Sequence, residues 1–195
     1  MDELLLFYYL CWLLYIIVYF FVPVKRTRNL LLTIILLYIC LSSLNITMGL
    51  FVISSSFIML LISTVILFGL SIVRTYEILI IFVSMLTYAG LLIWEKMAPV
   101  FFFMPGTIMV ASLIVFLVCM LIKSFVLRFI VIVSSLTLGQ LMYELLLYIY
   151  LGNDVIGSFY YLNYLLVTIL FLLLVQTMTR FIAFVMTYSS YKYHY

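Results

Sequence analysis

Apolar residues run along this chain in long, almost unbroken stretches, without the short alternation that marks half-buried strands or amphipathic helices. Cutting at charges, Pro, Gly and Asn leaves seven stretches: Leu4 to Val22, Leu30 to Met48, Leu50 to Val73, Tyr76 to Trp94, Pro105 to Ile122, Phe125 to Tyr150 and Phe159 to Thr179. A helix rising ~1.5 Å per residue crosses a hydrocarbon core of ~30 Å in about 20 residues, and these stretches are of that length. Helix is the expected form, because each backbone polar group in lipid must find its partner within its own segment. The stretches are also too long and too uniformly apolar for barrel strands. The pattern predicts an all-α fold, a polytopic transmembrane bundle of seven spans forming one transmembrane domain.

The cuts have physical causes. Pro23 ends the first span, and Lys25, Arg26 and Arg28 behind it are costly in hydrocarbon. Asn45 and Gly49 favour a tight turn between spans two and three. Arg74 and Thr75 separate spans three and four, and Glu95, Lys96, Pro99 and Pro105-Gly106 break the chain before span five. Pro105 suits a first helical turn, which leaves Phe101, Phe102, Phe103 and Met104 at the interface. Gly152, Asn153 and Asp154 close span six. Residues 180–195 are expected to form a short cytoplasmic tail whose aromatic and basic end, with Ser189, Ser190, Lys192 and His194, rests at the headgroups.

Seven spans place Lys25, Arg26, Arg28, Arg74, Lys123, Arg128, Arg180 and Lys192 on one side and only Lys96 on the other. Cations accumulate on the cytoplasmic side, so the orientation is N-out and C-in. Of the acids, Asp2, Glu3, Glu95 and Asp154 then fall on the outer side and Glu77 on the inner side.

Composition agrees with the pattern. The 195 residues are 70% hydrophobic and 8% charged, with a mean hydropathy of +1.45. A soluble domain has about 45–50% apolar and about 25% charged residues, so the chain is expected to be an integral, multi-pass membrane protein surrounded by membrane lipid. The net charge of +3 comes from cations spread singly or in one small group between spans, which marks topology and argues against nucleic-acid binding. Cys11, Cys40 and Cys119 all lie in apolar stretches and imply no disulfide framework. Asp2 and Glu3 occupy the place of a signal peptide's basic n-region and no small-x-small cleavage pattern follows, so the first stretch is expected to be a retained helix. No internal repeat of the kind found in many secondary transporters is visible.

Glu144 is the one acid placed well inside a span. It stands eight residues before Gly152, so it sits about 12 Å from the outer end of its helix. Arg128, the cation on the same helix, is sixteen residues deeper, and the neutral acid is the expected form. Gln140 lies one turn from Glu144, and Thr137 and Tyr148 extend that face. Asn163 near the outer start of span seven and Asn45 at the outer end of span two reach a similar depth. These residues define a candidate polar pocket, Glu144, Gln140, Asn163 and Asn45, that opens outward to a proton, cation or small polar solute. The plainer reading is that Glu144 and Gln140 bond to neighbouring helices and hold the bundle together. Gly49, Ser56 and Ser63, with Ser54, Ser55, Thr64 and Ser71 nearby, suit close helix packing, a hydroxyl-lined path being the alternative. Trp94 belongs to the aromatic belt. Tyr8, Tyr9, Tyr15 and Tyr19 either line a groove or face lipid.

The only histidine is His194, which disfavours a buried His base or a His metal site. No H-E-x-x-H, G-x-S-x-G or P-loop occurs, no Lys lies within a span, and no span contains the paired Asp of a membrane aspartyl protease. The chain is expected to be no enzyme, with no catalytic residues, cofactor or metal.

Gly139-Gln140-Leu141-Met142-Tyr143, then Ile156-Gly157-Ser158-Phe159 with Leu162 and Asn163, resemble a family of small Bacillus-type membrane proteins called YphA. The opening Phe7-Tyr8-Tyr9 with Trp12, leading to Lys25-Arg26-Thr27-Arg28, is similar in style. The resemblance implies a polytopic protein of a Gram-positive spore-former's cell membrane and carries no activity with it. The expected function is a scaffold or accessory subunit meeting an intramembrane protein partner, or a second copy of itself, through helix contacts. The alternative is a transporter component built around Glu144.

Overall fold

The computed structural model describes residues 2–48, 51–70, 75–98, 105–151 and 155–192. The expectations placed on Gly49, Arg74, Pro99, residues 101–104, residues 152–154 and His194 fall outside these residues. Among the described residues there are seven helices: α1 (Asp2–Phe21), α2 (Lys25–Ser42), α3 (Ser55–Leu70), α4 (Thr75–Met97), α5 (Gly106–Leu121), α6 (Phe125–Leu151) and α7 (Phe159–Lys192). Three short strands accompany them: β1 (Asn45–Met48), β2 (Phe51–Ser54) and β3 (Val155–Ile156).

Four helical stretches are long and apolar enough to cross a membrane: Glu3–Phe21, Thr75–Met97, Phe125–Tyr148 and Phe159–Ala183. Ser55–Gly69 and Gly106–Leu121 are apolar but shorter. The first turn of α2 is taken up by Lys25, Arg26 and Arg28, so its apolar part is shorter still.

The second and third apolar stretches differ from the simple reading. Helix α2 stops at Ser42 and α3 starts at Ser55, and the segment between them is a β-hairpin. β1 pairs antiparallel with β2, Asn45 opposite Ser54 and Ile46 opposite Ile53, and β2 pairs parallel with β3, Ile53 opposite Ile156. Ile46, Thr47, Val52 and Ile53 explain the switch: β-branched side chains fit a pleated ribbon better than a helix. Hydropathy alone cannot separate such residues from a helical run. Ser55 ties the hairpin to the end of α2, its hydroxyl donating to the carbonyls of Leu41 at 2.5 Å and Leu44 at 2.9 Å. Through the segment expected as a tail, α7 continues to Lys192 with no Pro or Gly to stop it.

Hydrogen bonds and packing put the ends of the helices at two levels. The sheet, the start of α1, the end of α4 and the starts of α5 and α7 share one end, called here the sheet end. At the other end, Arg128 of α6 reaches back to α5, with Nε donating to the Ile122 carbonyl at 2.6 Å and Nη2 to the Cys119 carbonyl at 3.3 Å. Cys119 belongs to the last turn of α5 and Ile122 is the residue that caps it, where intrahelical donors run out and a cation is favoured. The Arg28 guanidinium lies over the Tyr19 ring, 5.3 Å from its centre, where α1 turns into α2.

The core lies among α4, α5, α6 and α7. Tyr88, Ile114, Leu136, Tyr161, Tyr164 and Leu172 are inaccessible there. Phe7 of α1 joins them through edge contacts with Phe159 and a tilted contact with Tyr38. A smaller apolar cluster of Val18, Leu32 and Ile35 sits between α1 and α2. Gly139 lets α4 and α6 approach closely, for a Cβ there would lie 2.8 Å from Tyr88 Cδ1 and 3.1 Å from the Met85 carbonyl.

Candidate functional site

The polar face of α6 turns inward. Thr137, Gln140 and Glu144 are all buried, Glu144 being 7% exposed, while Tyr148 is half-buried. The close approach at Gly139 brings Tyr88 of α4 within reach, and its hydroxyl donates to Gln140 Oε1 at 3.0 Å. Gln140 Nε2 in turn donates to Glu144 Oε1 at 2.6 Å, one turn along the same helix. One turn in the other direction, Thr137 donates to the Val133 carbonyl at 2.6 Å and accepts from the Tyr161 hydroxyl of α7 at 3.0 Å. The polar stripe therefore binds α4, α6 and α7 together by side-chain hydrogen bonds. Ser134 and Ser135, also buried, bond back to the carbonyls of Ile130 and Ile132 on their own helix.

The other two expected pocket residues do not join this group. Asn163 Nδ2 donates to the Glu3 carbonyl at 3.0 Å and so anchors the start of α1 to α7. Its Oδ1 is buried with no hydrogen-bond partner among the described residues, as is Ser84 Oγ on α4. Asn45 lies instead in a half-open cleft of about 160 Å³ beside the sheet, with Ser42, Ser54 and Ser158. Gly157, Phe159 and Leu162 complete its lining, and neither Gln140 nor Glu144 belongs to it. Gly157 adopts φ +77°, a left-handed conformation that suits glycine, and a Cβ there would overlap Phe57 of α3. The turn from β3 into α7 therefore needs both the missing side chain and the positive φ to seat against α3.

A second polar group was not foreseen. Glu95, near the end of α4, accepts a hydrogen bond of 2.5 Å from Tyr164 of α7, and the Tyr164 and Tyr160 hydroxyls lie 2.9 Å apart. A Cβ on Gly106 would overlap the same carboxylate, so Glu95 packs against the first residue of α5. An acid at that position complements the positive end of the helix. The Lys96 ammonium lies 5.9 Å from the centre of the Tyr143 ring, a cation–π contact from α4 to α6. The two polar groups come close, since the rings of Tyr88 and Tyr164 meet edge to face with centres 6.2 Å apart. The sequence offered only a faint signal for this, an acid following Trp94 near the end of a span, and tyrosines that any membrane helix could carry.

The serine stripe of the third stretch is used locally. Ser54 and Ser56 bond to each other at 2.7 Å, and Ser63 and Thr64 bond to carbonyls of their own helix. Tyr9 and Tyr19 are exposed, and Trp94 is 45% exposed, as rings facing lipid would be. Among the described residues no three His, Cys, Asp or Glu side chains gather where they could hold a metal ion.

No curated protein and no solved structure matches the chain. The family described as YphA-like integral membrane protein matches it over residues 3–194, almost its whole length. Four helices long and apolar enough to cross a membrane agree with that description, and this chain belongs to the YphA-like integral membrane protein family.

Proposed function

We propose that the protein is a multi-pass component of a cell membrane, with seven spans, the sheet end outside and the C-terminus inside. In this reading it is a non-enzymatic scaffold or accessory subunit that meets its partners inside the bilayer. The observation that carries the reading is the use made of Gln140. Its amide oxygen accepts from Tyr88 and its amide nitrogen donates to Glu144, so the most polar side chains in the middle of the bundle act on each other and on a neighbouring helix. Interhelical hydrogen bonds of this kind hold membrane bundles together. The exposed apolar side chains of α1, among them Leu5, Trp12, Leu13, Ile16 and Phe20, offer a face for lipid, a partner helix or a second copy.

The second reading is a proton- or cation-coupled carrier component. It is favoured by Ser84 Oγ and Asn163 Oδ1, buried polar atoms with no partner among the described residues, of the kind that line a path for water or a cation. Glu144→Gln in purified protein reconstituted in liposomes separates the two. Unchanged proton and cation flux with a lower melting temperature supports the scaffold. Loss of a flux that the unaltered protein carries supports the carrier and overturns the scaffold.

A further inference from the structure

The cleft beside the sheet is chemically unlike the rest of the molecule. In a chain that is 70% hydrophobic, its wall carries the side chains of Ser42, Asn45, Ser54 and Ser158, drawn from the end of α2, from β1, from β2 and from the turn before α7. Among the described residues no ionisable side chain lines it, so an ion entering would lose water without gaining a counter-charge from them. The hydroxyls are also set to face a neutral partner. Ser42 donates its proton to the Ile39 carbonyl at 2.8 Å, leaving its oxygen to accept, and Ser54 shares one hydrogen bond with Ser56. Asn45 and Ser158 also line the cleft, and Asn45 brings both a donor and an acceptor. Phe159 supplies an apolar wall, and the Gly157 turn that shapes the floor is fixed by its contact with Phe57.

The volume of about 160 Å³ is that of about five water molecules at ~30 Å³ each, room for a molecule between a triol and a single sugar ring. Alternating hydroxyls and C–H groups on such a ligand match a lining that combines hydroxyls, an amide and a phenyl ring. The cleft also sits at the level where the helices begin and end, the depth of lipid headgroups for a bundle lying in a bilayer.

We propose that the cleft framed by Ser42, Asn45, Ser54, Ser158 and Phe159 binds a small uncharged polyhydroxylated group. It is supplied by a free sugar or by the sugar headgroup of a membrane glycolipid. The site is independent of the choice between scaffold and carrier, because neither Gln140 nor Glu144 contributes to it.

The test uses the full chain in phosphatidylcholine nanodiscs, followed by its thermal midpoint. Three additions are compared: free glucose, a fraction of glucosyl-diacylglycerol in the bilayer, and the same fraction of phosphatidylglycerol. The expected result is a rise of about 3 °C or more at saturating glucose or with the glucolipid, none with phosphatidylglycerol, and loss of the rise in Asn45→Leu and in Ser158→Val. A rise with glucolipid alone identifies the headgroup as the source, and a rise with both identifies the sugar ring as sufficient. Asn45 is exposed, so Asn45→Leu is expected to keep the unliganded midpoint and to report binding rather than folding. No rise with either sugar source overturns the proposal. So does a rise that persists in both variants, the signature of general solute exclusion, or an equal rise with phosphatidylglycerol.

Discussion

The Tyr164 hydroxyl donates to the Glu95 carboxylate across 2.5 Å, and that one bond joins the end of α4 to the start of α7. The carboxylate also rests on Gly106, so the same group meets the start of α5. Three helices that are separate in sequence converge on one acid. An acid of this kind would be counted as a loop charge from sequence, yet it is half-buried and bonded. Its contribution should show in variants that leave Glu95 itself in place.

Tyr164→Phe removes the donor, and Gly106→Ala moves the carboxylate away from it. Each is expected to lower stability by about 1–2 kcal/mol, a drop of several degrees in thermal midpoint. Because both act on one contact, the double variant should be little worse than the more damaging single one. Thermal unfolding in detergent measures all three. Independent, additive losses would mean that Gly106 and Tyr164 do not share Glu95.

Gln140→Leu leaves the Tyr88 hydroxyl and the Glu144 carboxyl without their shared partner in the core. The expected loss is about 1–3 kcal/mol, the cost of removing two hydrogen bonds from buried polar groups. Gly139→Ala should act in the same direction by pushing α4 away, although alanine alone would favour the helix by up to about 1 kcal/mol. A Gly139→Ala variant as stable as the parent would contradict the close approach of α4 and α6.

Arg128 is a test at the opposite end. Arg128→Ala removes both donors to the end of α5 and should destabilise by about 1.5–3 kcal/mol. Arg128→Lys should recover less than half of that, because an ammonium cannot span the Ile122 and Cys119 carbonyls as a guanidinium fork does. Full recovery by lysine would reduce the contact to simple charge.

The proposed orientation makes a separate prediction. A tag at the N-terminus should be digested by protease added outside intact cells, and a tag at the C-terminus should be cut only after the membrane is opened. Equal protection of both tags would require an even number of crossings and would remove the seven-span arrangement.

The helical character of the chain and the existence of a polar face on α6 were legible from sequence, because unbroken apolar length and a Gln–Glu pair one turn apart are strong local signals. Whether that face turns to the bundle or to lipid is not written in the sequence of one helix, and in the structure Gln140 and Glu144 are buried. The four-residue pocket was not assembled as expected. Depth along separate helices says nothing about which faces meet, and Asn45 went to the sheet while Asn163 went to the α1 backbone. The hairpin was hidden because Ile46, Val52 and Ile53 are as apolar as any helix residue. Glu95 and Tyr164 were hidden because they lie sixty-nine positions apart in sequence and meet only by helix packing.

The parallel pairing of Ile53 with Ile156 also sets an order of events during synthesis. The hairpin of β1 and β2 can close as soon as it leaves the ribosome, but its third strand is made roughly a hundred residues later, so a contact of long sequence separation completes that end of the molecule last. Until α7 begins, the serines and Asn45 have no Gly157 turn to face. A chain truncated before residue 155 would therefore keep six of the seven described helices and still leave the β1–β2 ribbon without the third strand and the glycine turn that close the sheet end.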